Sequence, residues 1–146
     1  MNSASFRQRL LAAVWFAASA LLCVGVMFYT VTMAPRAAFL YGLLPTVAGG
    51  IAGGLVGGSL LNRAKTSTVG QSLLRGIAVA VAAFAIFSLL FTFALPFTER
   101  GWSLRQSGGL LLLTWTLGAL FAAPMVLFGG MLAGVTLYLF GKVMGG

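Results

Sequence analysis

The stretch TVAGGIAGGLVGGSLL, residues Thr46 to Leu61, contains three Gly-Gly pairs spaced four residues apart and carries no charge. An α-helix advances about 100° per residue, so the first glycines of the pairs share one side of a helix and the second glycines lie beside them. The first column consists of Gly49, Gly53 and Gly57, and the second column consists of Gly50, Gly54 and Gly58. Membrane helices use such small residues to bring two backbones close together. The stretch therefore predicts a glycine-zipper (GxxxG) helix with a broad close-packing surface.

The composition of the whole chain also favours a membrane environment. The chain has 146 residues, of which 60% are hydrophobic and 7% are charged. A soluble domain of this length needs a charged exterior that this chain cannot supply. Apolar runs longer than about 18 residues recur along the sequence, and runs of that length are typical of transmembrane helices. We predict an all-α integral membrane protein that forms a single domain over residues 1–146.

The apolar runs predict a bundle of four transmembrane helices, at approximately residues 10–33, 39–61, 76–97 and 107–140. Arg7 and Arg9 followed by an apolar run also resemble a secretory signal. The run continues to Met33, however, so we expect it to be the first span. The fourth run is too long for a straight helix inside a bilayer core of about 30 Å. Since Pro124 lies near its middle, we expect a long helix that is kinked there.

The distribution of basic residues predicts the orientation. Six of the nine lie on one side of the predicted spans, namely Arg7, Arg9, Arg63, Lys65, Arg75 and Lys142. The other side holds Arg36, Arg100 and Arg105, together with the only acidic residue, Glu99. Basic residues are enriched in cytoplasmic segments, so both termini are expected in the cytoplasm. This positive-inside pattern accounts for the net charge of +8 without nucleic-acid binding. The basic loop at residues 62–75 could alternatively contact anionic lipid or a partner.

The glycine columns need packing partners, and the sequence leaves three alternatives open. The fourth span offers Gly118, Gly130 and Gly134, and the first span offers several alanines. The columns could pack inside the bundle, against another copy of the chain, or against a different subunit. The third span has no glycine between its ends and carries a stripe of phenylalanines. We therefore expect it to pack less closely and to lie at the periphery.

Reactive side chains are scarce in this sequence. It contains no histidine, one carboxylate side chain and one cysteine, Cys23. Acid–base catalysis and metal binding depend on clusters of such groups, so we expect no catalytic residue, no metal site and no cofactor. Coupled transporters usually hold an acidic residue or a histidine inside the membrane, and this chain has none there.

These observations predict a small non-catalytic membrane protein, not an enzyme. The first hypothesis is an accessory or assembly subunit of a larger membrane complex, with other subunits or copies of itself as partners besides membrane lipids. A homo-oligomeric channel or passive transporter is the alternative. A lipid-binding protein that uses Arg36, Arg100 and Arg105 to hold headgroups is the third. The abundance of Ala, Gly, Leu and Arg is typical of a bacterial inner-membrane protein, so we expect a multi-pass protein of that membrane.

Overall fold

The computed structural model describes residues 3–28, 39–61, 68–98, 108–109, 111–113, 115–116, 120 and 123–144. Within these residues the regular structure is helical and contains no strand, which confirms the all-α prediction for the described part of the chain. The α-helices that are continuous within the described residues are α1 (Ser3–Phe28), α2 (Leu44–Leu55), α3 (Val69–Thr98) and α4 (Ala123–Met144). A π-helical turn (Phe39–Leu43) precedes α2, and a 3₁₀ segment (Gly57–Leu61) follows it.

Three of the helices are long and apolar enough to cross a membrane. The apolar segments are Phe6–Gly25 in α1, Val69–Ala94 in α3 and Val126–Val143 in α4. In an apolar 18-residue window of each segment, only 11% of the residues are buried in the first segment and 22% in each of the others. Apolar helices that leave most of their side chains outside the core are suited to a lipid environment. The structure thus has the helices expected of a multi-pass membrane protein.

The predicted second span is divided into three segments rather than one continuous helix. Pro45 lies at the start of α2 and lacks an amide hydrogen, so the regular hydrogen-bond pattern cannot run through it from the π-helical turn. At the other end, the amide of Val56 donates to the carbonyl of Ala52, and the chain then tightens into the 3₁₀ segment. The α-helical part has 12 residues, fewer than the roughly 20 that span a bilayer.

Helix α3 begins seven residues before the predicted third span, which started at Gly76. Thr68 lies just before the helix, and its Oγ1 accepts a hydrogen bond of 3.3 Å from the amide of Gln71. A threonine in this position satisfies an amide that has no partner within the helix, and so favours a helix start there. The second half of the predicted polar loop is therefore the first part of α3.

Helix α4 is described from Ala123 to Met144, so it includes Pro124 and extends four residues beyond the predicted end of the fourth span at residue 140. The described residues between 108 and 120 are also helical. The predicted kink near Pro124 concerns the connection from these residues to α4, which runs through residues 121 and 122 and lies outside the described residues.

The main core draws side chains from all four helices. Its buried residues are Ala12, Phe16, Ala52, Leu60, Val79, Ala133 and Leu137. A second cluster, formed by Leu40, Leu44 and Phe91, lies where the π-helical turn and α2 meet the later part of α3. Helix α3 contacts both α2 and α4. The expectation that the third span lies at the periphery is therefore wrong.

Candidate functional site

The first glycine column lies directly against α1. A Cβ atom added to Gly53 would lie 2.7 Å from the carbonyl oxygen of Ala12 and 2.9 Å from the Cβ of Phe16. A Cβ on Gly49 would lie 3.0 Å from the carbonyl oxygen of Phe16, and one on Gly57 would lie 3.0 Å from the Phe16 ring. All three glycines are buried. This column leaves no room for any side chain between α1 and the Gly49–Gly57 stretch.

The second glycine column faces the same helix at a larger distance. A Cβ on Gly50 would lie 3.5 Å from the Cβ of Ala17, and one on Gly54 would lie 3.4 Å from the Cβ of Ala13. These are ordinary van der Waals separations, and both glycines are partly exposed. The sequence left open that one column faces another helix or another protein. Within the described residues, both columns contact α1.

Gly58 completes the second column and has a different neighbour. A Cβ added there would lie 2.8 Å from the Cγ of Arg9 and 3.4 Å from its Cα. The stem of the Arg9 side chain therefore lies over Gly58, at the point where α1 passes the 3₁₀ segment. Opposite the glycine columns, Ile51 and Leu55 are exposed, so α2 presents large apolar side chains on its outer side.

A second close contact between helices joins α3 and α4. A Cβ added to Gly134 would lie 2.7 Å from the carbonyl oxygen of Ser72 and 2.8 Å from the Cα of Gly76. One on Gly130 would lie 2.5 Å from the Cβ of Ala80, and one on Gly76 would clash with the carbonyl oxygen of Gly130. The two backbones thus touch where α3 crosses α4.

Gly76 was missed by the sequence reasoning because it stood at the presumed end of a span. The signal was present: Ser72, Gly76 and Ala80 recur every four residues, which is the small-residue spacing of close membrane contacts. Since α3 begins at Val69, all three residues lie within the helix and not at the end of a span. All three residues are buried. The expectation that the third span packs less closely is wrong at this position.

Four of the predicted packing and headgroup-binding residues lie outside the described residues. They are Gly118, Arg36, Arg100 and Arg105. Of the remaining predicted packing residues, the structure brings the two glycine columns together with α1, and Gly130 and Gly134 together with Gly76. These are two separate contacts between helix pairs rather than one glycine surface.

The hydroxyl groups inside the helices donate hydrogen bonds to nearby backbone carbonyls. Ser88 donates to the carbonyl of Phe84 at 2.8 Å, and Thr92 donates to the carbonyl of Ser88 at 2.8 Å. Ser19, Thr46, Ser72, Thr116 and Thr136 likewise donate to carbonyls three or four residues earlier. Such bonds within one helix are the usual solution for hydroxyls in an apolar environment. These hydroxyls are directed at their own backbone.

Two further observations concern the chemistry of the described part of the chain. No group of three or more His, Cys, Asp and Glu side chains that could hold a metal ion occurs there. Among the buried side-chain polar atoms of the same residues, Trp15 Nε1 lacks a hydrogen-bond partner. The Trp15 ring stacks on Phe140 of α4 with 5.5 Å between the ring centroids. Trp15 therefore serves as a packing residue between α1 and α4.

The chain matches no protein-family model, no curated protein and no solved structure.

Proposed function

We propose that this chain is a small non-catalytic membrane subunit that accompanies or helps to assemble a larger membrane complex. The observation that carries the proposal is that seven described hydroxyls donate to backbone carbonyls three or four residues earlier in the chain. A hydroxyl bonded in this way is not positioned as a nucleophile, because nucleophilic catalysis needs a neighbouring base. The sequence also lacks histidine altogether and holds Glu99 as its one carboxylate side chain.

The close helix contacts give such a subunit its rigidity. Backbone packing at Gly53 and at Gly76 holds α1 to α2 and α3 to α4 without long flexible side chains between them. Because the glycine columns contact α1, we propose that they stabilise the subunit itself. A partner would then contact the large exposed apolar side chains on the outer faces of the helices.

For the membrane arrangement, we propose four spans with both termini in the cytoplasm of a bacterial cell, in its inner membrane. Three helices have the length and composition to span. The remaining span, second in chain order, would be residues 39–61, in which the π-helical turn and the 3₁₀ segment extend α2. The uneven division of the basic residues supports the orientation.

The alternative is a homo-oligomeric channel with a glycine-lined path. In the described helices the glycines lie against α1, so such a path would require α1 to move away from α2. The two proposals differ in what accompanies the chain in its own membrane. A subunit has other polypeptides at fixed stoichiometry, whereas a homo-oligomer has only copies of itself.

The native mass of the protein tests this difference. The chain is extracted at natural abundance from its own membranes into mild detergent, and its complexes are weighed by native mass spectrometry. We expect other polypeptides bound at fixed stoichiometry. As a control, the same chain overproduced without its neighbours should lose those masses. A homo-oligomer as the only species in both samples would contradict the subunit proposal and favour the channel.

A further inference from the structure

The basic residues that the structure describes all lie towards one end of the helix assembly. Arg7 and Arg9 lie near the start of α1, Arg75 lies in the second turn of α3, and Lys142 lies in the last turn of α4. We call these four residues the basic end. Arg7, Arg9 and Lys142 are exposed, and Arg75 is partly exposed.

Contacts between the helices bring these positions to the same end. The Leu61 side chain approaches α4 beside Gly141, where an added Cβ would lie 3.0 Å from it. Ser72 in the first turn of α3 lies against Gly134, in the second half of α4. Since Gly58 lies against Arg9, the 3₁₀ segment connects the start of α1 with the end of α4. Helices α1, α3 and α4 thus each contribute a turn that carries basic residues to one region.

Gly58 gives Arg9 a defined place within the basic end. The Arg9 Cγ would be 2.8 Å from a Cβ at this position, so any side chain there would displace the arginine stem. The two neighbouring glycines of the same column contact alanines instead. The absence of a side chain at position 58 therefore lets the Arg9 side chain lie close to the 3₁₀ segment.

No aspartate or glutamate occurs in the part of the chain that the structure describes. The single acidic residue, Glu99, follows the last residue of α3, at the opposite end of that helix from Arg75. A net positive region remains, beside helices that are apolar enough to span a bilayer.

We propose that the basic end binds the phosphodiester headgroups of anionic phospholipids in the adjacent leaflet. Arginine pairs with phosphate through two parallel hydrogen bonds, which suits Arg7 and Arg9 to this role. A basic residue close to an anionic membrane surface strengthens binding by about fivefold. The proposal does not depend on a partner complex, because it concerns the lipids that surround the chain itself.

The test measures which lipids stay on the full-length protein. The chain is reconstituted into vesicles of mixed phosphatidylcholine and phosphatidylglycerol, extracted in mild detergent at low salt, and examined by native mass spectrometry. We expect phosphatidylglycerol to be enriched on the protein over its share in the vesicle. Arg7→Gln with Arg9→Gln should reduce this enrichment at least fivefold, and salt near 1 M, where the Debye length is about 3 Å, should reduce it in the unaltered protein.

Two further variants test whether the lipid binds at the basic end or on the other predicted side. Gly58→Ala keeps every charge but displaces Arg9, so it should also lower the enrichment. Arg36→Gln with Arg105→Gln removes the same charge from the other predicted side and should leave the enrichment unchanged. Circular dichroism establishes that each variant keeps its helices. If the arginine pair of α1 cannot be produced in folded form, Gly58→Ala and the salt series decide the question.

Three results would overturn the proposal. The first is equal retention of phosphatidylcholine and phosphatidylglycerol by the unaltered protein. The second is an enrichment that is lost in the Arg36 and Arg105 variant but unchanged in the Arg7 and Arg9 variant and in Gly58→Ala. This result would place the lipid site on the other side of the membrane. The third is displacement of the lipid by a short RNA at the same ionic strength, which would assign the basic end to nucleic acid.

Discussion

Gly53 and Gly54 are adjacent in α2 and have the same chemistry, yet their surroundings differ. An added Cβ on Gly53 would lie 2.7 Å from a backbone oxygen of α1, whereas one on Gly54 would lie 3.4 Å from an alanine methyl group. The backbone of a packed helix cannot move locally, so a methyl group on Gly53 must separate the two helices.

We expect Gly53→Ala to lower the free energy of unfolding by about 1–3 kcal/mol, the usual cost of overpacking. Gly54→Ala should leave it unchanged or raise it by up to about 1 kcal/mol, because alanine restricts the unfolded chain and favours helix. The measurement is a titration of each purified protein with a denaturing detergent, followed by circular dichroism. Equal destabilisation by the two changes would show that α1 and α2 do not approach at the first column as described.

At the scale of single helices, the start of α3 determines which of its residues can meet α4. Thr68 caps the helix, so α3 begins at Val69 and places Gly76 in its second turn, where it touches Gly130 and Gly134. Gly70 lies in the first turn of the same helix, and an added Cβ there would meet nothing within 4 Å.

These two glycines give a matched pair of substitutions in one helix. We expect Gly76→Ala to lower the free energy of unfolding by about 1–3 kcal/mol, because the methyl group would clash with the Gly130 backbone. Gly70→Ala should be neutral or mildly stabilising. The same detergent titration compares them. A Gly76→Ala protein as stable as the Gly70→Ala protein would mean that α3 and α4 do not cross at these glycines.

At the scale of the whole molecule, the described residues contain three candidate membrane spans and a shorter, divided helical segment between α1 and α3. If residues 39–61 also cross, the chain makes four passes and both termini lie on the same side. If they do not cross, three passes place the termini on opposite sides. The stacking of Trp15 on Phe140 supports four passes, since it places the first half of α1 beside the last part of α4.

Cysteine labelling can distinguish these arrangements. In a Cys23→Ser background, Ser3→Cys and Gly146→Cys should react with an impermeant maleimide only after the membrane is opened. Ser103→Cys should react in intact cells stripped of their outer envelope, because the basic residues predict that loop outside. Labelling of one terminus but not the other in intact cells would establish three passes.

Part of this fold could be predicted because it depends on local chemistry. The helical class and the candidate spans follow from apolar runs, and these are visible without knowing what each helix contacts. Helix boundaries were less predictable. One hydrogen bond to Thr68 sets the start of α3 seven residues before the predicted start. One amide hydrogen that Pro45 lacks divides the predicted second span.

The sequence by itself determined that this chain is helical and apolar, that it carries two adjacent glycine columns, and that it has few reactive groups. Only the tertiary structure decided that both columns contact α1, that Gly76 is the counterpart of Gly130 and Gly134, and that α3 packs against both α2 and α4. The physical reason is that periodicity places residues on the face of one helix. Which helix covers that face depends on complementary small residues far away in the sequence and on the angle at which the two helices cross.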